Sequence, residues 1–346
     1  MTTRVWQGMF VAAVAILAMP AVRGETVTYE MVTVGDAGNA NDSTGYGAVA
    51  YGYQIGKYEV TIGQYTAFLN AVAKSDPYSL YSTSMANDLN TAGISRSGSS
   101  GAYSYSVIGD SVNRPISYVS WYDAARFANW MQNGQGNGGT ETGAYTLNGA
   151  MFGGAVARNS GAAFYLPTEN EWYKAAYYSP VKGGVGSPGY FRYAMQSDSV
   201  PGNVVGYASN QANYNTGVAG GYSVTQSTVY SSEQNYLTDV GSFVSSASYY
   251  GTFDQTGNVT EWNDLSGAAG ITRGIRGGEW YTLWFTSDSS SRDTGAASDQ
   301  STMGFRLAGP AQASPVPEID PAGLGSVLAL VTGALGLLER RRAGGA

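Results

Sequence analysis

The chain of 346 residues contains no cysteine and no histidine. A Ser-His-Asp or Cys-His nucleophile is therefore excluded. So are Cys/His zinc, His-based iron and thiolate copper sites, and no disulfide framework can form. The chemistry that remains belongs to carboxylates, hydroxyls, amides and backbone carbonyls, with Lys and Arg beside them. Glu169, Glu171 and Glu261 could form an acid/base pair of glycosidase type. Arg276 and Arg306 could bind an anionic ligand, or pair with an internal acid such as Glu171. Trp280, Tyr281, Trp284 and Phe285 form an aromatic cluster that could stack on sugars or peptides, or pack in a core. Asn258-Val259-Thr260 has the pattern of a glycosylation acceptor.

Composition bounds what can position these groups. Charged residues make up only 12%, but hydrophobic residues reach 43%, so the chain can bury a core instead of remaining disordered. The formal charge is −7, which speaks against nucleic-acid binding, a function that needs a basic stripe.

Three helix starts are legible. Thr61-Ile62-Gly63-Gln64 has the form of a capping box, and Tyr65, Phe68, Leu69 and Val72 follow on one apolar face. Ser120 to Asp123 is a similar start, ahead of Ala124, Phe127, Ala128 and Met131, with Asn133-Gly134 as a left-handed stop. Thr168 to Glu171 is a third box and leads into Trp172, Ala175 and Ala176. The segments 53–60, 163–166, 273–280 and 303–307 read as strands. Ser/Gly/Asn-rich runs at 82–106, 133–161 and 213–235 read as long loops. The expected class is α+β, a single domain with low regular secondary structure.

The two ends read as addresses. Residues 1–24 have Arg4, then an apolar stretch too short to span a bilayer, then small residues, as in a signal peptide. The segment 322–338 is uncharged and just long enough to span as a transmembrane segment, and Arg340, Arg341 and Arg342 follow it. The tail 311–346, with Val316-Pro317-Glu318, resembles the bacterial PEP-CTERM sorting signal, although Ile319 stands where the second proline usually does. That resemblance implies processing by an exosortase and delivery to the cell envelope or extracellular matrix. The body, 25–310, is acidic.

Several strings of the body, in order, resemble the formylglycine-generating enzyme family, the sulfatase-modifying factor domain. They are YQIGKYEVTIGQYTAFL (53–69), RPISYVSWYDAARFANW (114–130), YLPTENEWYKAA (165–176), FDQTGNVTEW (253–262), RGGEW (276–280) and GFR (304–306). The resemblance implies a variant of the C-type-lectin-like fold. It also implies that the family's copper-binding cysteine positions fall on Thr282 and Ser287, with Glu279 in place of the usual serine. A hydroxyl cannot bind Cu(I) as a soft thiolate does, so no copper is expected. A family calcium site carries over to the Asp254 and Glu261 side chains and the Gly257 and Val259 carbonyls. A second carries over in part to the Asn213 side chain and the Tyr214 carbonyl. Calcium is the expected cofactor.

The function expected from this reading is that of a non-catalytic binding or structural module. Its ligand cleft would be formed by Trp280, Tyr281, Trp284, Arg276 and Arg306, and would hold a polypeptide or exopolysaccharide. The alternative is an enzyme with altered chemistry in the same cleft, using Glu279, Thr282 or Ser287.

Overall fold

The computed structural model describes residues 26–218, 220–298 and 302–311. The signal peptide expected at 1–24 lies outside the described residues, as does all but the first residue of the expected tail 311–346 with its segment 322–338. Among the described residues no helix is long and apolar enough to cross a membrane.

In chain order the elements begin with β1 (Met31–Val34), β2 (Tyr53–Gly56), α1 (Ile62–Val72), the single turn α2 (Ser84–Asn87), β3 (Ile94–Ser97) and β4 (Ser104–Val107). Next come α3 (Trp121–Gln132), α4 (Glu169–Tyr177), β5 (Tyr178–Ser179) and β6 (Gly189–Tyr190). The chain then forms β7 (Glu261–Asn263), β8 (Thr272–Arg276), β9 (Asp293–Ala296), β10 (Gly304–Phe305) and β11 (Ala308–Pro310). This is the α+β domain of low regular structure that the sequence predicts.

All three capping boxes form. The Thr61 side chain accepts from the Gln64 amide and the Gln64 side chain accepts from the Thr61 amide; Ser120 with Asp123 and Thr168 with Glu171 do the same. Each box satisfies backbone donors that a helix start leaves unpaired. Tyr65 and Phe68 of α1 pack on Phe127, and Phe68 also meets Trp130 of α3. The α3 helix is buried on every side from Trp121 to Met131, and its polar residues Asp123, Arg126 and Asn129 bond internal partners instead of water. It ends at Asn133, and Gly134 takes the left-handed conformation (φ 80°).

The sheets are small and stitched over long distances. The β1 and β11 strands both pair antiparallel with β2. The four-stranded sheet runs β10-β7-β8-β9, with β10 parallel to β7 and the other pairs antiparallel. Two hairpins, β3-β4 and β5-β6, complete the set.

Buried asparagines tie the irregular chain in place of ladders. Asn129 donates to the Thr140 and Tyr145 carbonyls at 2.6 and 3.0 Å and accepts from the Tyr145 amide at 2.8 Å. Asn203 donates to the Tyr214 and Gly221 carbonyls. Asn90 donates to the Ser231 and Gln234 carbonyls. Each carboxamide does for a loop what neighbouring strands do for one another.

A buried ion pair makes stability depend on pH. Asp264 lies 3.2 Å from the Arg273 guanidinium, with the Tyr145 hydroxyl 3.3 Å away. Burial nevertheless pushes its carboxyl up to about 7. A carboxyl that holds its proton more tightly when folded adds stability that is complete below its unfolded pKa and lost as pH rises through the folded one. Stability should therefore fall between about pH 4 and pH 7. Asp264→Asn should flatten that slope in urea melts taken across the interval; an unchanged slope would assign it to other groups.

Candidate functional site

The D-x-x-G-N-V-x-E block folds as a left-handed turn into β7. Asp254, Gly257 and Asn258 all have positive φ (61°, 85° and 62°). Gly257 pairs in parallel with Asn213, and the Asn258 amide donates to the Asn213 carbonyl at 2.8 Å. The two blocks assigned to calcium sites in the sequence are thus brought together. The Asn213 amide group donates to the Tyr236 carbonyl and to Asn258 Oδ1, and the Tyr214 carbonyl accepts from Asn203. Asn258 is wholly buried in these bonds, so its sequon is closed to modification in the folded chain.

Glu261 is the centre of a sealed polar cluster. Arg306 grips it with two bonds of 2.7 Å, and the Trp172 indole N–H donates to Oε2 at 2.9 Å. Arg306 also donates to the carbonyls of Gly56 and Phe253. Glu59, 3.7 Å from the same guanidinium, has no hydrogen-bond partner on either carboxylate oxygen. Burial, then the nearby Asp254 charge, holds the Glu59 carboxyl well above the usual range. Asp254 is pushed up to about 6, chiefly by burial, while its Oδ2 accepts from the Gly241 amide at 2.6 Å. Three carboxylates therefore face one guanidinium.

Calcium takes six to eight oxygen ligands. Its charge would balance the carboxylate excess of this cluster. The Gln255 and Val259 carbonyls both face the bare α-carbon of Gly277, 3.6 and 3.7 Å from where a β-carbon would sit. Arg306 and Trp172 fill Glu261 Oε2, whereas Oε1 takes one donor and keeps a lone pair. The donor set, carboxylate and carbonyl oxygen throughout, is the kind a hard cation uses.

The expected cleft residues fall into two groups. Arg276 and Arg306 are internal. Arg276 binds Glu169 and the Ser289 and Ser291 carbonyls. Its partner is Glu169 and not Glu171, because Glu171 turns back to cap its own helix and bonds the Tyr51 and Tyr165 hydroxyls. Glu169, Glu171 and Glu261 are thus each committed to a different internal contact.

The aromatic group does assemble. Trp280 is buried and stacks on Tyr236, with ring centres 4.6 Å apart and planes 4° apart. Tyr236 in turn contacts Tyr222 and Tyr230. Tyr230 and Tyr281 are exposed at the two ends of this array. Trp284 instead lies against Arg192, away from the stack, with exposed Phe285 edge-on to it.

Thr282 and Ser287 occupy one loop between β8 and β9, around a 3-10 turn at Trp284–Thr286. The Thr282 hydroxyl accepts from the Glu279 amide at 3.1 Å and lies 2.6 Å from the Thr286 hydroxyl. Ser287 Oγ is buried without a partner. Gly278, at φ 71°, passes directly over Ser287 and Thr286, and any side chain there would collide with both hydroxyls. The two positions therefore share one small hydroxyl nest. Beside it Thr302 donates to Glu279 at 2.5 Å, and burial raises the Glu279 carboxyl. Tyr281, close to Glu279, is pushed up to about 12, chiefly by burial.

Sequence reasoning missed Glu59, Trp172 and Tyr236 as partners in these clusters. Glu59 did leave a signal: a lone acid between Tyr58 and Val60 in an apolar stretch.

Comparison with known proteins agrees with this architecture. Residues 28–311 match the sulfatase-modifying factor enzyme 1-like domain family, and the chain belongs to that family. Among solved structures it is similar to Treponema denticola variable protein 1, at 19% identity and a TM-score of 0.50, covering 83% of this chain and 97% of that one. CarF aligns at 21% identity and a TM-score of 0.45, covering 82% and 99%. PvdO from Pseudomonas aeruginosa aligns at 19% and 0.41, covering 82% and 92%. The first of these likenesses concerns the fold alone. No curated protein sequence matches the chain.

Proposed function

We propose that this chain is a non-catalytic binding module of its family, exported and displayed at the cell envelope through its tail. The observation that carries the reading is the hydroxyl nest. Where the family's oxidases hold copper on two thiolates, this chain has Thr282 and Ser287, and Thr282 is already hydrogen-bonded to its own loop. Neither hydroxyl offers the soft ligand that Cu(I) needs. What remains is a supported aromatic surface. Tyr230 and Tyr281 present rings to solvent over the buried Tyr236–Trp280 stack. Rigid rings held from beneath lose little entropy when a ligand stacks on them. A polypeptide or exopolysaccharide strand is the ligand this surface suits.

Purified protein incubated with copper, oxygen and a cysteine-containing sulfatase peptide should yield no formylglycine; appearance of the aldehyde would end this reading. Tyr281→Ala should weaken binding to a glycan or peptide array by roughly tenfold with the fold intact, as expected for one stacking contact of about 1 kcal/mol or more.

Calcium in this reading has a structural role. It would be held by Asp254, Glu261 and the Gly257 and Val259 carbonyls, neutralising the carboxylates around Arg306. A cation bound only to the folded state raises its stability. Chelation of calcium-loaded protein should therefore lower the melting temperature, and an unchanged temperature would remove the ion from the account.

A second reading has one observation in its favour. Glu279 is a nearly buried carboxyl with a raised pKa beside an exposed tyrosine, an arrangement that suits a general acid. Loss of any turnover found for this chain in Glu279→Gln would support altered chemistry over simple binding.

A further inference from the structure

A cavity of about 280 Å³ opens beside the start of α4, away from the aromatic surface, and is lined by Gly45, Tyr46, Glu169, Asn170, Ser266 and Arg292 among others. Its electrostatics differ from those of the acidic molecule around it. Two guanidiniums, Arg276 and Arg292, converge on one carboxylate, Glu169, at 2.8 and 2.7 Å. Arg276 is buried, and its remaining donors are taken by the Ser289 and Ser291 carbonyls. Arg292 commits only Nε to Glu169, and about a third of its side chain (34%) remains exposed. Both guanidiniums lie against the Tyr46 ring, 4.9 and 5.5 Å from its centre. Arg276, Arg292 and Glu169 together carry one net positive charge, with Asp293 the next acid beside Arg292, in a chain whose formal charge is −7.

The uncommitted donors gather at the same cavity. The two terminal nitrogens of Arg292 form a planar fork suited to an oxyanion. Asn170 uses its carboxamide oxygen for the Gly47 amide at 3.0 Å, which leaves its NH₂ group for a ligand. The Ser266 hydroxyl adds a third donor at the rim. Tyr46 and Leu265 supply an apolar wall.

We propose that this cavity binds the oxyanion of an acidic ligand, a carboxylate or sulfate group seated on the free fork of Arg292 with Asn170 beside it. The anion would pair with the edge of the Arg292 guanidinium that Glu169 leaves free. The site is independent of the aromatic surface, so an acidic polymer could use it whether or not Tyr230 and Tyr281 take part.

Titration of the purified chain with sodium sulfate and, separately, sodium glucuronate tests this, with sodium chloride holding ionic strength constant. Melting temperature and binding heat are the readouts. A saturable response to at least one anion is expected, and which anion gives it identifies the oxyanion class. Arg292→Gln should weaken that response about tenfold or more, and Asn170→Ala by a smaller factor, since charge-assisted bonds are the stronger ones. Arg292→Lys keeps the charge but loses the fork, and should fall between the parent and the glutamine variant. Arg276 keeps Glu169 paired in all three variants. Should Arg292→Gln fail to fold, Arg292→Lys and Asn170→Ala carry the same comparison. A response equal to that of sodium chloride, or an equal affinity in the folded Arg292 variants, would overturn the assignment.

Discussion

Glu261→Ala is expected to cost roughly 3–5 kcal/mol, because removing one member of a buried ion pair strands the other. Arg306 would keep its bonds to the Gly56 and Phe253 carbonyls, but its charge would lose the only carboxylate that, among the described residues, lies within hydrogen-bonding distance. Glu59, 3.7 Å away, is the remaining acid near it. The Trp172 indole N–H would also lose its acceptor. Arg306→Met should be at least as damaging, since Glu59, Asp254 and Glu261 would then face one another without a cation. Combining Glu261→Gln with Arg306→Met should recover part of the loss, because a neutral pair no longer has to be desolvated as ions. Urea midpoints of the three variants, read against the parent, give the comparison. A Glu261→Ala protein within about 1 kcal/mol of the parent would show that the cluster does not hold the fold.

Gly257→Ala is the second large effect, and it has a built-in control. At φ 85° an alanine already costs about 1–2 kcal/mol. At this position the added methyl would also run into the backbone carbonyl of Asn213, an atom that cannot swing aside. Gly149 has nearly the same dihedral, φ 81°, with nothing within 4 Å of the position a methyl would take. Gly149→Ala should therefore show the dihedral penalty alone. Gly257→Ala should lose roughly 3 kcal/mol or more, as strain and overpacking add, and should weaken the response to chelation because the turn that aims the carbonyls is displaced. Equal losses in the two variants would mean that the Asn213–Gly257 bridge yields easily.

The helices were legible because their signals are local. A cap and its partner three residues on need no tertiary information, and all three boxes formed as read. The strands were harder, since their partners are remote. The expected strand 163–166 is reduced to a single bridge from Tyr165 to Ala308. The expected strand 273–280 stops at Arg276, because Gly277 and Gly278 turn left-handed. The expected strand 303–307 is cut to the two residues of β10, and the next strand, β11, begins only at Ala308 and joins another sheet. The hairpin β3-β4 lies mostly inside the run 82–106 that reads as loop, because its serines hide the alternation. In the candidate site, the acids and the glycine turn were visible as a block. Their counter-charge was not, because Arg306 lies 45 residues from Glu261 and nothing in the spacing links them. Arg276 pairs with Glu169 and not with the expected Glu171, since helix residues two apart point to different sides.

The closing segment has a consequence for how the molecule is assembled. The Arg306 bond to Gly56 bridges 250 positions of chain, and β11 joins a sheet whose other two strands were made at the opposite end of the domain. The three-stranded sheet cannot be completed, nor Glu261 neutralised from within, until residues 304–310 arrive. Contacts so distant in sequence are slow to find one another. A partly synthesised chain would therefore lack its keystone and remain pliable, and the domain would set only once β11 has been threaded home.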